Sequence, residues 1–271
     1  MNKLIENCLY TKNPQEFQNV KVETDNFCKE VVGSNIIRSA IFSIMSDYCD
    51  KNNQSVKILY LPIKDNSVWA FTTVVEDCIF VTINTSLPRL KQLFAGAHEL
   101  YHIKTCIEAK DYNLLESGSL LTENDSTYLV DTDEDMKANA FAGLILASDA
   151  QLKEQVEIYL EDKDSLDFIL FCCERFGLPY KAMILRLYET NYLSKSVAES
   201  LLSREEEFYI MAIIKSNSPD LFVPSLENNI EQIINLVSRN KNMSFITKEK
   251  ADYDLEKLNK IKKEFEKSEN A

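Results

Sequence analysis

The chain is expected to fold as an α+β protein that is predominantly helical. A small β-sheet packs on one motif-bearing helix, and an all-helical C-terminal region follows. Three observations lead there. Glycine and proline are scarce, at 5 and 6 of 271 residues, which favours long helices and short connections over an all-β design. Three runs rich in β-branched and aromatic residues cluster between residues 56 and 86. From residue 134 onward, apolar side chains recur at three- and four-residue steps almost without a break.

Taken in order, residues 31 to 49 ("VVGSNIIRSAIFSIMSDYC") space their apolar side chains at helical intervals and predict a buried helix. The β-rich runs are "VKILYLPI" (56–63), "VWAFTTVV" (68–75) and "CIFVTINTS" (78–86), with Glu76-Asp77 predicting a hairpin connection between the last two. Pro88 suits the first turn of the next helix. Along that helix Leu90, Phe94, Ala97 and Tyr101 mark an apolar face, with His98 and His102 at its edge. Residues 107 to 133 lack periodicity and read mainly as an excursion over the surface. A helix "EDMKANAFAGLILA" (134–147) comes next, and Ser148 with Gln151 has capping-box spacing for another.

Beyond it, "SLDFILFCCERF" runs into Gly177, a good C-cap residue. The helical segments "PYKAMILRLYET", "SKSVAESLL", "SREEEFYIMAIIKS" and "SLENNIEQIINLVSR" follow, the third with a Ser203–Glu206 capping box. The last, "EKADYDLEKLNKIKKEFEK", puts Ala251, Leu255, Leu258, Ile261 and Phe265 on one stripe, as in a packed or partner-binding helix. The predicted divisions are an N-terminal segment (1–40), a core (41–160), a helix-turn-helix-like extension of that core (161–205) and a C-terminal helical region (206–271).

Net charge is −13, which argues against holding nucleic acid or an anionic membrane by a broad basic face. Residues 108 to 135 carry nine acids against Lys110 alone. They read as a solvated loop, or as an acidic rim that steers a basic substrate. The seven cysteines are scattered, odd in number and without a C-x-x-C, so they are expected to be reduced thiols in a cytoplasmic protein. No apolar h-region opens the sequence, and no apolar run approaches eighteen residues, so neither export nor membrane insertion is expected.

The chemistry concentrates in "FAGAHELYHIKTC" (94–106), whose centre spells H-E-x-x-H. Histidines four apart on a helix project the same way and can share one metal ion. A glutamate after the first can take a proton from water activated by that metal and pass it to a leaving amine. The chain holds only two histidines, His98 and His102, and random placement would set them four apart in roughly 1 of 140 arrangements. A catalytic zinc ion needs a third protein ligand and keeps one position open. Cys106 stands one turn past His102, but helix rotation carries it off line. The acids opening "DTDEDMKANAFAGLILA" are better candidates.

H-E-L-Y-H followed some thirty residues later by D-M-K-A-N-A-F-A-G-L-I-L resembles the ImmA/IrrE metallopeptidase family. That family's second motif is an acid-x-x-A-N-x-F-A-x-x-L-L run. "VTINTSLPRLKQLFAGAHELYH" and "CERFGLPYKAMILRLYETNYLS" are similar to its flanking elements, so the likeness spans roughly residues 40 to 205. The resemblance implies a zincin-like catalytic core binding Zn2+ through His98 and His102, with Glu99 as the catalytic glutamate. It places the third ligand, a glutamate in the family, at Asp135, one methylene shorter. Glu134, immediately before it, is the alternative, since periodicity serves either. Asn139 is implied as a hydrogen-bond partner that orients a ligand, with Phe141 and Ala142 packed behind. Ala147-Ser148 stands where the family has Met-Pro, a change expected to affect a turn only.

The implied function is a zinc metallo-endopeptidase that cuts a helix-turn-helix transcriptional repressor, of a mobile element or a stress response. Two other classes remain open. One is a metal-bearing regulatory or scaffold protein that binds its partner without cleaving it, which the shortened third ligand favours. The other is DNA binding by the segment around Gly177, whose basic residues (Arg175, Lys181, Arg186, Lys195) are few.

Overall fold

The computed structural model describes residues 3–32, 37–75, 78–111, 115, 119–122, 133–158 and 165–269. Helices α1 (Lys3–Asn7), α2 (Leu9–Lys12) and α3 (Pro14–Phe27) open the chain, and α4 spans Ile41–Lys51. Strands β1 (Ser55–Leu61), β2 (Val68–Val75) and β3 (Cys78–Asn84) lead into α5 (Arg89–Ala109), and β4 (Ser119–Thr122) follows. The rest is helical: α6 (Asp133–Leu146), α7 (Asp149–Ile158), α8 (Leu166–Phe176), α9 (Tyr180–Glu189), α10 (Lys195–Leu202), α11 (Glu205–Lys215), α12 (Ile230–Asn242) and α13 (Lys248–Glu269). The α+β, mostly helical class is therefore the one observed. No helix among the described residues is long and apolar enough to cross a membrane.

The four strands are ordered β1-β3-β2-β4, with β1 parallel to β3 and the other pairs antiparallel. Adjacent antiparallel β2 and β3 match the expected hairpin; its connection, Glu76-Asp77, lies outside the described residues. A register shift between Val68 and Ala70 lets Trp69 and Ala70 both turn inward, and from there β2 alternates, with Thr72 buried and Thr73 exposed. Helix α5 lies on this sheet. The Trp69 and Phe94 rings meet edge-on at 6.2 Å, and Leu93, Ala97, Leu100 and Ile103 of α5 are all buried.

Several boundaries differ from expectation for local reasons. The helix predicted over 31–49 is not continuous. A π-helical turn ends at Val32, and Arg38 takes φ 41°, a left-handed conformation that no α-helix can propagate; α4 starts after a single 3-10 turn. Pro88 is the N-cap of α5, not a residue of its first turn. Helix α5 runs three residues into the expected excursion before Lys110, at φ 53°, stops it. Within that excursion β4 pairs with β2, which four residues of "SLLT" gave no periodicity to announce; four of the nine acids of the acidic rim, Glu116, Glu123, Asp125 and Asp131, lie outside the described residues.

The capping box at Ser148–Gln151 forms, and Gly177 closes α8 at φ 75°. The one at Ser203–Glu206 does not: Ser203 donates to Ser200 O, and α11 begins after Arg204. "SLENNIEQIINLVSR" turns helical only at Ile230. Its first residues form an irregular strap that ties Leu226 N to Thr85 O at 3.1 Å and Asn229 N to Tyr60 O at 3.0 Å. The strap thereby braces the strand ends beside the start of α5.

Candidate metal centre

Consecutive residues on an α-helix diverge by about 100°, so His98 and Glu99 leave α5 toward different neighbours. His98 turns to α6, and Glu99 turns to the sheet. Helices α5 and α6 run antiparallel, with Asn139 against His98 and Asp135 against His102. The tips converge: His98 Nε2 and His102 Nε2 are 3.1 Å apart, and Asp135 Oδ1 stands 3.8 Å from the first and 3.6 Å from the second. Two imidazole nitrogens and a carboxylate oxygen within this span form a group that can hold a metal ion.

The surroundings keep His98 in ligating form. His98 Nδ1–H donates to Asn139 Oδ1 at 3.1 Å, which leaves the Nε2 lone pair facing His102 and Asp135. Burial holds His98 well below the ordinary imidazole range, and the neighbouring His102 acts in the same direction against Asp135 and Asn139. His98 is therefore neutral. His102 and Asp135 keep a small exposed area, 14% and 13% of their side chains, so the group opens to solvent on their side.

Glu134 is not part of this group. Its side chain is 53% exposed and accepts from Lys137 Nζ at 3.0 Å, while Lys137 also pairs with Glu16 on α3. Cys106 is fully buried, and that burial raises its thiol to about 11; it too stands outside the group. All seven cysteines are free thiols. Phe141 packs behind the site as expected, fully buried with its ring centroid 5.5 Å from that of Tyr101 and 5.7 Å from that of Phe27.

Two residues matter that sequence patterns did not single out. Thr72, buried in β2, donates from Oγ1 to Glu99 Oε2 at 2.6 Å. A polar residue at an inward-facing strand position was its only signal. Arg186 of α9, 2% exposed, donates from Nε and Nη2 to Ala147 O at 3.2 and 3.1 Å. It also pairs with Asp149 and Glu189, each at 2.6 Å. This is how Ala147-Ser148 ends α6: a buried guanidinium takes the last carbonyl. Arg186 is thus unavailable to nucleic acid, while Lys181 pairs with Glu205 and Lys195 with Glu6. Gly143 makes room for the guanidinium stem, since a Cβ there would stand 2.7 Å from Arg186 Cδ. No protein-family model matches the chain, and no curated protein matches it.

Proposed function

We propose that the protein is a zinc-dependent endopeptidase of the ImmA/IrrE type, built on a zincin-like core. Its substrate class is a helix-turn-helix transcriptional repressor, of a mobile element or a stress response. The observation that carries the reading is the convergence of His98 Nε2, His102 Nε2 and Asp135 Oδ1. Ligands about 2.0–2.1 Å from a tetrahedral ion stand roughly 3.4 Å apart, and the three measured separations of 3.1, 3.6 and 3.8 Å straddle that value. A donor set of two imidazoles and one carboxylate suits zinc and leaves one position for substrate or water.

Zinc held there would supply Lewis acidity, acidifying water and polarising the scissile carbonyl. The chain's own residues do the rest. Asn139 fixes the ring of His98 and its tautomer. Glu99 takes a proton as the O–H bond of the attacking water breaks, and that proton ends on the amine nitrogen when the C–N bond breaks. The seven free thiols suit a reducing compartment and support action in the cytoplasm.

A second reading is a metal-bearing scaffold that binds its partner without cleaving it. It is favoured by Glu99 having no exposed surface. One experiment separates the two. The zinc-loaded protein is mixed with the helix-turn-helix repressor encoded beside its gene, and wild type is compared with Glu99→Gln. Cleavage by wild type alone supports the endopeptidase. Equal binding with no cleavage by either, with zinc bound, sinks it in favour of the scaffold.

A further inference from the structure

We infer that Thr72 is a positioning residue for Glu99: its hydroxyl holds Oε2 against the sheet and so fixes the orientation of the carboxyl group. The kinetic part of this rests on the endopeptidase reading; the geometric part does not. Both side chains are fully buried, and the Oγ1–Oε2 distance of 2.6 Å is that of a charge-assisted hydrogen bond. Thr72 sits on an inner strand, opposite Val81 of β3 and Ser119 of β4, so its hydroxyl is aimed from a backbone bonded on both sides. A β-branched side chain is stiff at χ1, so the strand also sets the direction of the hydroxyl.

The bond survives proton transfer. A hydroxyl donor is accepted by a carboxylate oxygen and equally by the carbonyl oxygen of the protonated acid. Oε2 thus stays with Thr72 whether the carboxyl group is ionised or protonated. His98 and Glu99, adjacent in sequence, are therefore aligned from opposite sides: one by Asn139 of α6, the other by Thr72 of β2.

The test compares Thr72→Val, which keeps shape and strand propensity but loses the donor, with Thr72→Ser, which keeps the donor. In protein labelled with 13C at glutamate Cδ, the Glu99 resonance is assigned by its loss in Glu99→Gln. It is expected to move in Thr72→Val and to return in Thr72→Ser, with or without zinc. In the repressor-cleavage assay, Thr72→Val should lower kcat by about 10- to 100-fold, with KM and zinc content unchanged, and Thr72→Ser should restore most of it. If valine disturbs the sheet, Thr72→Ala gives the same comparison. A Glu99 resonance unmoved by loss of the hydroxyl, or a kcat lowered equally by serine and valine, overturns the assignment. A resonance that moves in protein that cuts no repressor keeps Thr72 as the positioning residue and removes the endopeptidase.

Discussion

Replacing Arg186 with methionine tests whether the end of α6 is held by the buried ion cluster. The guanidinium serves Ala147 O, Asp149 and Glu189 at once, with a side chain 2% exposed. Methionine preserves much of the volume but leaves those three groups without their cation. Their costs are unequal. Asp149 is 36% exposed and keeps Lys21, so solvent and that lysine recover most of its loss. Glu189 is 6% exposed, and burial already holds its carboxyl above the ordinary range despite the pull of Arg186. Breaking a buried pair from one side costs about 3–5 kcal/mol, and with Asp149 discounted the expected loss is about 3 kcal/mol.

The pH dependence has a definite sign. Burial pushes Asp149 up, but Arg186 and Lys21 outweigh it and hold the carboxyl below its usual value. In wild type that stabilisation is present above the unfolded pKa and is lost as pH falls through the folded one. Glu189 unpartnered in the variant would be protonated more readily still. The Glu189 effect narrows the gap between the two proteins as pH falls from 7 toward 4, and the Asp149 effect narrows it further below that. Urea denaturation at several pH values measures it. Arg186→Met with Glu189→Leu should recover a large part of the loss, because the acid left unpaired is gone. A loss below about 1 kcal/mol at pH 7, or a gap that widens in acid, would refute the clamp.

Two further outcomes follow from the metal centre. Asp135→Ala should lower zinc affinity by at least about 100-fold by equilibrium dialysis while Glu134→Ala changes it little, and the reverse order would transfer the ligand role to Glu134. Asn139→Leu, which removes the acceptor of His98 Nδ1–H, should cost about 10- to 100-fold in zinc affinity by competition with a chelator; unchanged affinity would show that the ring needs no such partner.

The elements that were legible in sequence are those specified locally. His98 and His102 need only one helix to share a direction, and that helix is announced by its own apolar spacing. Gly177 and the Ser148–Gln151 box likewise depend on a few neighbouring residues. What was illegible depends on contacts far along the chain. Thr72 and Glu99 are 27 residues apart, and Arg186 and Ala147 are 39 apart, so no periodicity joins them. Ser203 failed as a cap because its hydroxyl found Ser200 O closer, one of the competing local bonds open to any serine. Asp135 and Glu134 were inseparable by periodicity alone. Lys137 separates them, drawing Glu134 to the outer face beside Glu16.

The proposed third ligand, Asp135, is within reach because of the packing of α5 against α6. An aspartate reaches less far than a glutamate, so α6 has to run close to the histidines. The antiparallel register pairs Asp135 with His102 and Asn139 with His98, and one turn further it brings Ala142 level with Ala95. Both alanines are fully buried, and neither projects beyond Cβ, so the two backbones can approach without a large side chain between them. The next residue, Gly143, gives its space to Arg186, which takes the carbonyl of Ala147 at the far end of the same helix. Helix α6 is thus drawn toward α5 by small residues along its length and held at its end by a buried guanidinium. Under those two constraints a carboxylate one methylene shorter still stands within 4 Å of both imidazoles. An aspartate at this position is therefore compatible with the proposed set of three ligands.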